Sequence, residues 1–263
     1  MLQSEDRVLL LDAAMGTRLI HAGVLTTGEY AYMCTARNPY AVAKCHRRDV
    51  AAGADCVLTN TFGGHRLSDG KTIAGCDARE IHVRAVRLAR DAAGPERYIL
   101  GSMTASVYED ALRRQGELLL EAGADGLALE TMRAAAARDC VAALRKRIAA
   151  PILVSLQVDQ ATADRELARL GELEIDALGI NCVPVSEVEP WLERLRAVYA
   201  GPLLVEPNGS RRDGPGAFAA ALASWIGQGA RLVGGCCGTT ERHVAALRRA
   251  LDRAQAPVSS ERR

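Results

Sequence analysis

The stretch VGGCCGTT, from Val233 to Thr240, sets two thiols side by side among glycines. Successive side chains of a regular strand point to opposite faces, so Cys236 and Cys237 can meet one object only where the backbone bends sharply. Gly234, Gly235 and Gly238 permit such a bend. The pattern reads as a turn that aims two sulfurs at one point. A third cysteine, Cys182, closes the apolar run DALGINC. Three thiolates suit zinc, and three protein ligands leave a fourth position open, the mark of a catalytic rather than a structural site. The spacing is not that of a zinc finger, because the chain has no C-x2-C pair. The plain alternative is that all three are small buried hydrophobes, as free cysteines often are. Other polar residues also end apolar runs: Asp12, Asn60, Glu130, Asn181 and Glu206. A carboxylate in Glu130's position needs a partner or water. Asp12 could equally brace a turn, and Asn60 could satisfy local backbone groups.

These residues need elements to position them. Eight short apolar runs begin near Val8, Ala54, Arg97, Ala124, Pro151, Asp176, Pro202 and Ala230, and helical periodicity fills the gaps. DAREIHVRAVRLARDAAG puts Ile81, Ala85 and Leu88 on one stripe. SEVEPWLERLRAVYAG opens at Ser186 as a cap, and TTERHVAALRRALDRA starts at Thr239 or Thr240 and buries Val244, Leu247 and Leu251. TARNPYAVAKCHRRDVAAG is an extra segment between the first two runs. Eight strand–helix units in 263 residues predict an α/β fold, a closed (β/α)8 TIM barrel of one domain over residues 1–256. A disordered tail at 257–263 and a loose start over the first six residues are expected. A doubly wound open sheet is the runner-up, weakened because no G-x-G-x-x-G follows the first run. Barrel active sites lie at the C-terminal strand ends, where the polar residues above fall.

Composition narrows the partners. The formal net charge is +1 and aromatics make up 4% of the chain, which argues against nucleic acid or a membrane surface. MLQSEDRVLLLD lacks the basic-then-apolar layout of a leader, and no apolar run approaches the ~20 residues of a membrane span, so a cytoplasmic protein is expected. Its cysteines are then metal-bound, reactive or buried rather than bridged. Cys45, Cys56, Cys76 and Cys140 read as buried hydrophobes. His21, His46, His65, His82 and His243 have no ligand-like spacing and read mostly as surface or helix-face residues.

The motifs LLLDAAMGT, LTNTF, GADGLALET, DALGINC, EPN and GGCCGTT, in that order, cover nearly the whole chain. Together they resemble the zinc-dependent homocysteine S-methyltransferase family, most of all the homocysteine-binding module of cobalamin-dependent methionine synthase. The resemblance implies transfer of a methyl group from an activated donor to the homocysteine thiol, giving methionine. It implies Zn2+ on Cys182, Cys236 and Cys237, and Glu130 receiving the substrate ammonium. Backbone N–H groups of the Asp12, Ala13, Ala14, Met15 loop would hold the substrate carboxylate, with Asn60 and Asn181 lining the pocket. Three departures stand out. Ala13 replaces the family's usual glycine and is expected to narrow the pocket. GSMTASVYEDALRRQ lacks most of a family loop, and EPNGSRRDGP replaces the usual P-N-A-G continuation. Sulfonium and quaternary ammonium donors often sit in aromatic cages. This chain has two Phe and two Trp, with Trp191 and Trp225 on predicted helices. A methyl-corrinoid donor, methylcobalamin on a separate corrinoid protein, is therefore favoured. The alternatives are an S-methylmethionine- or S-adenosylmethionine-dependent thiol or selenol methyltransferase, and a non-catalytic zinc-binding relative.

Overall fold

The computed structural model describes residues 7–67, 71–159 and 161–255, so the two ends expected to be disordered lie outside the described residues. Strands and helices alternate. The first half runs β1 (Leu9–Leu10), α1 (Met15–His21), α2 (Met33–Arg37), α3 (Pro39–Ala52), β2 (Cys56–Leu58), α4 (Ala78–Ala93), β3 (Tyr98–Met103), α5 (Glu109–Glu121), β4 (Gly126–Met132) and α6 (Ala134–Arg145). The second half runs β5 (Ile152–Leu156), α7 (Asp164–Ala168), β6 (Ala177–Asn181), α8 (Val185–Arg196), β7 (Leu203–Glu206), α9 (Pro215–Gly227), β8 (Ala230–Val233) and α10 (Glu241–Gln255). All eight expected strands are present. They form one parallel sheet in the order β1-β8-β7-β6-β5-β4-β3-β2, the predicted (β/α)8 barrel. The "extra" segment supplies α2 and α3. α8 starts one residue before Ser186, at Val185 with Pro184 as its cap, so Ser186 is inside the helix and caps nothing.

Strand alternation divides the core in two. Leu9, Leu11, Cys56, Leu100, Ala128, Leu153, Ala177, Leu204 and Leu232 fill the barrel interior. Their neighbours, such as Leu10, Val57, Ile99, Leu127 and Val154, pack against the helices. Both faces are buried, which is why the strands read as continuous apolar runs. Two positions beyond several interior residues the side chain turns polar: Ser102 after Leu100, Glu130 after Ala128, Ser155 after Leu153, Glu206 after Leu204. The interior is thus an apolar plug under a polar layer at the C-terminal rim.

A repeated device stiffens the opposite end. Asp55, Asp125 and Asp176 precede β2, β4 and β6. Their carboxylates accept the N–H of Leu10 (2.9 Å), Ile99 (2.7 Å) and Ile152 (2.8 Å) from the preceding strand. Each also pairs with an arginine from a helix: Arg248, Arg90 and Arg145 respectively. Asp55 carries an added duty, because β1 and β2 share no ladder in the sheet order. Their seam is closed by Asp55 N–H on the Leu10 carbonyl (2.7 Å), by Leu10 N–H on Asp55, and by Leu58 N–H on the Asp12 carboxylate (3.1 Å). Asp55→Ala strands a buried N–H, so the expected loss is about 1–3 kcal/mol. Asp125→Ala, whose strand pair keeps its ladder, should lose less. Urea midpoints at unchanged slope measure both; equal losses would show that the seam has no special dependence on Asp55.

Candidate active site

The thiols fall just past the ends of β6 and β8. The Sγ atoms of Cys182, Cys236 and Cys237 all lie within 4.8 Å of one another. Cys182 and Cys236 are 2.7 Å apart, and Cys236 and Cys237 4.0 Å. Tetrahedral Zn–S bonds of about 2.3 Å place sulfurs roughly 3.8 Å apart, which the Cys236–Cys237 pair matches, while Cys182 and Cys236 would separate by about 1 Å to share an ion. The turn that carries the cysteine pair is built by its glycines. A Cβ on Gly234 would sit 2.6 Å from Leu11 Cβ, and one on Gly235 would sit 2.5 Å from the Thr239 side chain. Cys182 itself has φ +61°, left-handed backbone that a side chain rarely adopts.

Asn181, buried beside it, ties the thiols to the next strands. Its Nδ2 donates to Cys182 Sγ and Cys236 Sγ, 3.6 Å each, and to Thr131 Oγ1 at 2.8 Å. Its Oδ1 accepts from Thr131 N–H at 3.1 Å. Thr131 also has a positive φ, +58°. The register of β4 against β5 shifts between Leu129 and Met132, a bulge at the end of β4 that contains Glu130 and Thr131.

One cavity of about 360 Å³ collects the site: Asp12 to Thr17, Thr59, Asn60, Phe62, Ser102, Glu130, Thr131, Glu206 and the three cysteines are among its lining. Its carboxyl groups are held toward the neutral form by burial. Burial pushes the Glu130 carboxyl up to about 7, against the hydrogen bond it accepts from Ser102 Oγ. Burial and then the charge of Glu130 push Glu206 up to about 8. Among the three thiols, hydrogen bonds from Cys182 and then Cys236 bring Cys237 down to about 3, and Cys236 is raised by its bonds to Cys182 and Cys237.

The homocysteine S-methyltransferase family model matches residues 9–251. The chain belongs to that family. It is 29% identical to the homocysteine S-methyltransferase of Escherichia coli, over 94% of this chain and 96% of that one. It is also 29% identical to the methionine synthase of Mycobacterium leprae, over 94% of this chain but 24% of that protein, so it spans about a quarter of such a relative. Among solved structures, the apo form of the E. coli homocysteine methyltransferase MmuM superposes with a TM-score of 0.74 at 28% identity, covering 95% and 98% of the two chains. A metallated form of MmuM matches with the same TM-score, at 26% identity. The alignment to the E. coli enzyme runs over 301 positions, although this chain has 263 residues. Loops are therefore shorter here; Thr104 to Tyr108 alone join β3 to α5.

All the family-motif residues singled out in the sequence meet at this cavity except Asn181, which stands behind it and holds the thiols. Several have commitments that the motif did not reveal. Asp12 braces the β1–β2 seam through Leu58. Asn60 spends its Nδ2 on the Ala31 carbonyl (2.7 Å) and Thr35 Oγ1 (3.1 Å). Ala13 lines the cavity and also packs with Ala54 and Val244. Ala14 N–H is taken by Thr239 Oγ1 at 3.1 Å, and the same hydroxyl donates to the Cys236 carbonyl at 2.6 Å. Thr17 Oγ1 accepts from Gly238 N–H, so the first loop and the cysteine turn are laced together. The histidines fall on helical segments, as expected, but most of them are not at the surface. His46, His82 and His243 are buried, and only His21 is exposed. His46 lies on the inward stripe Val42, Ala43, His46, Asp49 of α3, a spacing present in the sequence. Ser102 and Glu206 line the cavity and Thr239 braces it; Ser102 lies outside the motifs, whereas Glu206 and Thr239 lie within EPN and GGCCGTT, which assign them no role. Strand alternation from Leu100 and Leu204 would have found the first two.

Proposed function

We propose that this protein transfers a methyl group from an activated donor to the sulfur of homocysteine, giving methionine, with Zn2+ held by Cys182, Cys236 and Cys237. The observation that carries the reading is the meeting of three free thiols and a buried carboxylate in one cavity, in a chain of this family. Zn2+ bound by thiolates supplies thiol activation, since a free thiol of pKa about 8.5 is only a few per cent ionised near neutral pH.

The chain's own residues do the rest. Glu130, held by Ser102, accepts the substrate ammonium, and the ammonium's charge favours the ionised carboxylate that burial disfavours. Amide groups of the Asp12–Thr17 loop take the substrate carboxylate; with Ala14 N–H occupied, those of Met15 and Gly16 are assigned to it. Fixing both ends of the amino acid presents its sulfur in one orientation and removes much of the entropic cost. Leu11, Leu58, Leu100, Leu153 and Leu204 lie beneath Glu130 and Glu206 and keep water from below. The new S–CH3 bond forms as the donor's bond to the methyl breaks, the donor keeping the electron pair. The thiol proton leaves through the open rim, and no histidine is among the described lining residues to take it.

For the donor, we favour a methyl-corrinoid on a separate protein over a small sulfonium or ammonium compound. Phe62 is the one aromatic side chain among the described lining residues, too few for a cage. Cys237 is exposed at the mouth, and the neighbouring loop is short. A trio of reduced cysteines fits a reducing compartment such as the cytoplasm. No described helix is long and apolar enough to cross a membrane.

Three outcomes are expected. Cys236→Ser should lose bound zinc and methionine formation together; full zinc occupancy by elemental analysis would remove the ligand assignment. Glu130→Gln should retain zinc yet bind homocysteine about ten- to a hundredfold more weakly, the worth of one charge-assisted hydrogen bond; unchanged affinity by calorimetry would assign the carboxylate elsewhere. With donors at equal concentration, single-turnover methionine formation should be faster from methylcobalamin than from S-methylmethionine or S-adenosylmethionine. The reverse order would overturn the donor reading alone, and no methionine from any donor, including a methyl-corrinoid protein, would favour a zinc-binding relative without catalysis.

A further inference from the structure

Behind the first loop, on the side away from the cavity, lies a buried ion pair that the motif does not contain. Arg18 of α1 is 9% exposed and Asp49 of α3 is fully buried. The guanidinium meets the carboxylate with two contacts, Nη1 to Oδ1 at 2.9 Å and Nη2 to Oδ2 at 2.6 Å, the forked geometry in which arginine is strongest. Nη1 also reaches the Cys45 carbonyl at 3.5 Å, and the other donors go to the loop. Nε donates to the Ala14 carbonyl at 2.6 Å and Nη2 to the Ala13 carbonyl at 2.9 Å. A backbone hydrogen bond from Ala13 to Asp49 ties the carboxylate to the same loop.

The consequence follows from peptide planarity. In a trans peptide the C=O and the N–H point in opposite directions, and none of the described peptides is cis. Arg18 draws the Ala13 carbonyl backward, so Ala14 N–H points forward, where it meets Thr239. Arg18 draws the Ala14 carbonyl backward too, so Met15 N–H must point forward, toward the cavity that Met15 and Gly16 line. No side chain of Ala14 caps these groups. Arg18 does not line that cavity; it borders a groove on the outer face with His21, Lys44 and Arg48. It therefore reaches the substrate only through the peptides it holds.

We propose that the Arg18–Asp49 pair is a positioning device that sets affinity for the α-carboxylate of the amino-acid substrate, by fixing the Ala13 and Ala14 peptides so that the Met15 amide faces the cavity. The proposal rests on the carboxylate assignment made above for this loop. It differs from ordinary core stabilisation in its selectivity. A loosened core would weaken every ligand of the cavity. A turned peptide penalises only a ligand that carries the carboxylate.

The test compares homocysteine with 3-aminopropane-1-thiol, which keeps the ammonium and thiol and lacks the carboxylate. Binding is measured by calorimetry on the zinc-loaded full chain, with zinc content by elemental analysis. Arg18→Lys keeps a cation beside Asp49 but cannot fork to the carboxylate and both carbonyls. The double variant Arg18→Met with Asp49→Leu removes both charges and so avoids leaving one buried and unpaired. In each folded variant homocysteine should bind about tenfold or more weakly, the aminothiol within about twofold of the wild type, and zinc should stay at the wild-type level. Equal weakening of both thiols would reduce the pair to a structural role and overturn the proposal, as would no weakening of either. A wild-type protein that binds both thiols equally would remove the carboxylate site itself, and this proposal with it, while the zinc assignment would stand on its own measurement.

Discussion

A parallel barrel must close, and here closure depends on two carboxylates. Every neighbouring strand pair except β1 and β2 is joined by a ladder. At that seam Asp55 works from the N-terminal end and Asp12 from the C-terminal end, each accepting a backbone N–H from the facing strand. A side chain thus replaces part of the ladder at both ends. The choice has a functional consequence, because Asp12 is also the root of the loop that carries Ala13 to Thr17. The wall of the cavity is anchored by the same bond that shuts the barrel. Burial and the neighbouring Asp49 push the Asp12 carboxyl well above the ordinary range, so this seam is an expensive place for an acid.

Strain accumulates at the other side of the cavity and is held by one amide. Thr131 and Cys182 both have positive φ without being glycine, which costs on the order of 1–3 kcal/mol each. Asn181 lies between them and bonds to both, as well as to Cys236. Its hydrogen bonds to sulfur are of the kind that orient a thiolate ligand set from behind. The bulge that contains Glu130 and the turn that aims the thiols are therefore coupled through one buried side chain. Shifting either would break the bonds that hold the other.

Much of this was legible in the sequence, for physical reasons that also explain the gaps. The eight strands stood out because a parallel sheet buried on both faces writes each strand as an apolar run. The cysteines stood out because they follow such runs at the rim. Ser102 was equally available from strand alternation, two places beyond Leu100, but it lies outside the motifs; Glu206 was visible in EPN, yet the motif gave it no role. The burial of the histidines was missed because His46 and His82 share helix faces with apolar residues, and a stripe such as Val42, Ala43, His46, Asp49 is weak when half of it is polar. The pairing of Arg18 with Asp49 could not be read from spacing. It depends on how α1 crosses α3, and that contact is set by tertiary packing.

Depth within the cavity suggests a direction for the chemistry under the proposed reading. The carboxyl groups sit low, directly on the apolar plug, and Glu206 is almost fully buried. Cys182 and Cys236 are half-buried, as Glu130 is, and Cys237 is exposed. An amino acid held by its polar ends would lie with its ammonium down and its sulfur at the mouth. The reacting atom would then be the most accessible part of the bound substrate, which is the reverse of a site that encloses two small molecules together. Such an order suits a donor that is not swallowed by the barrel. It also assigns separate duties to the two halves of the structure. Under that reading the seam, the plug and the loop behind it would fix the acceptor, and the short β3–α5 connection would leave room above the sulfur for a donor.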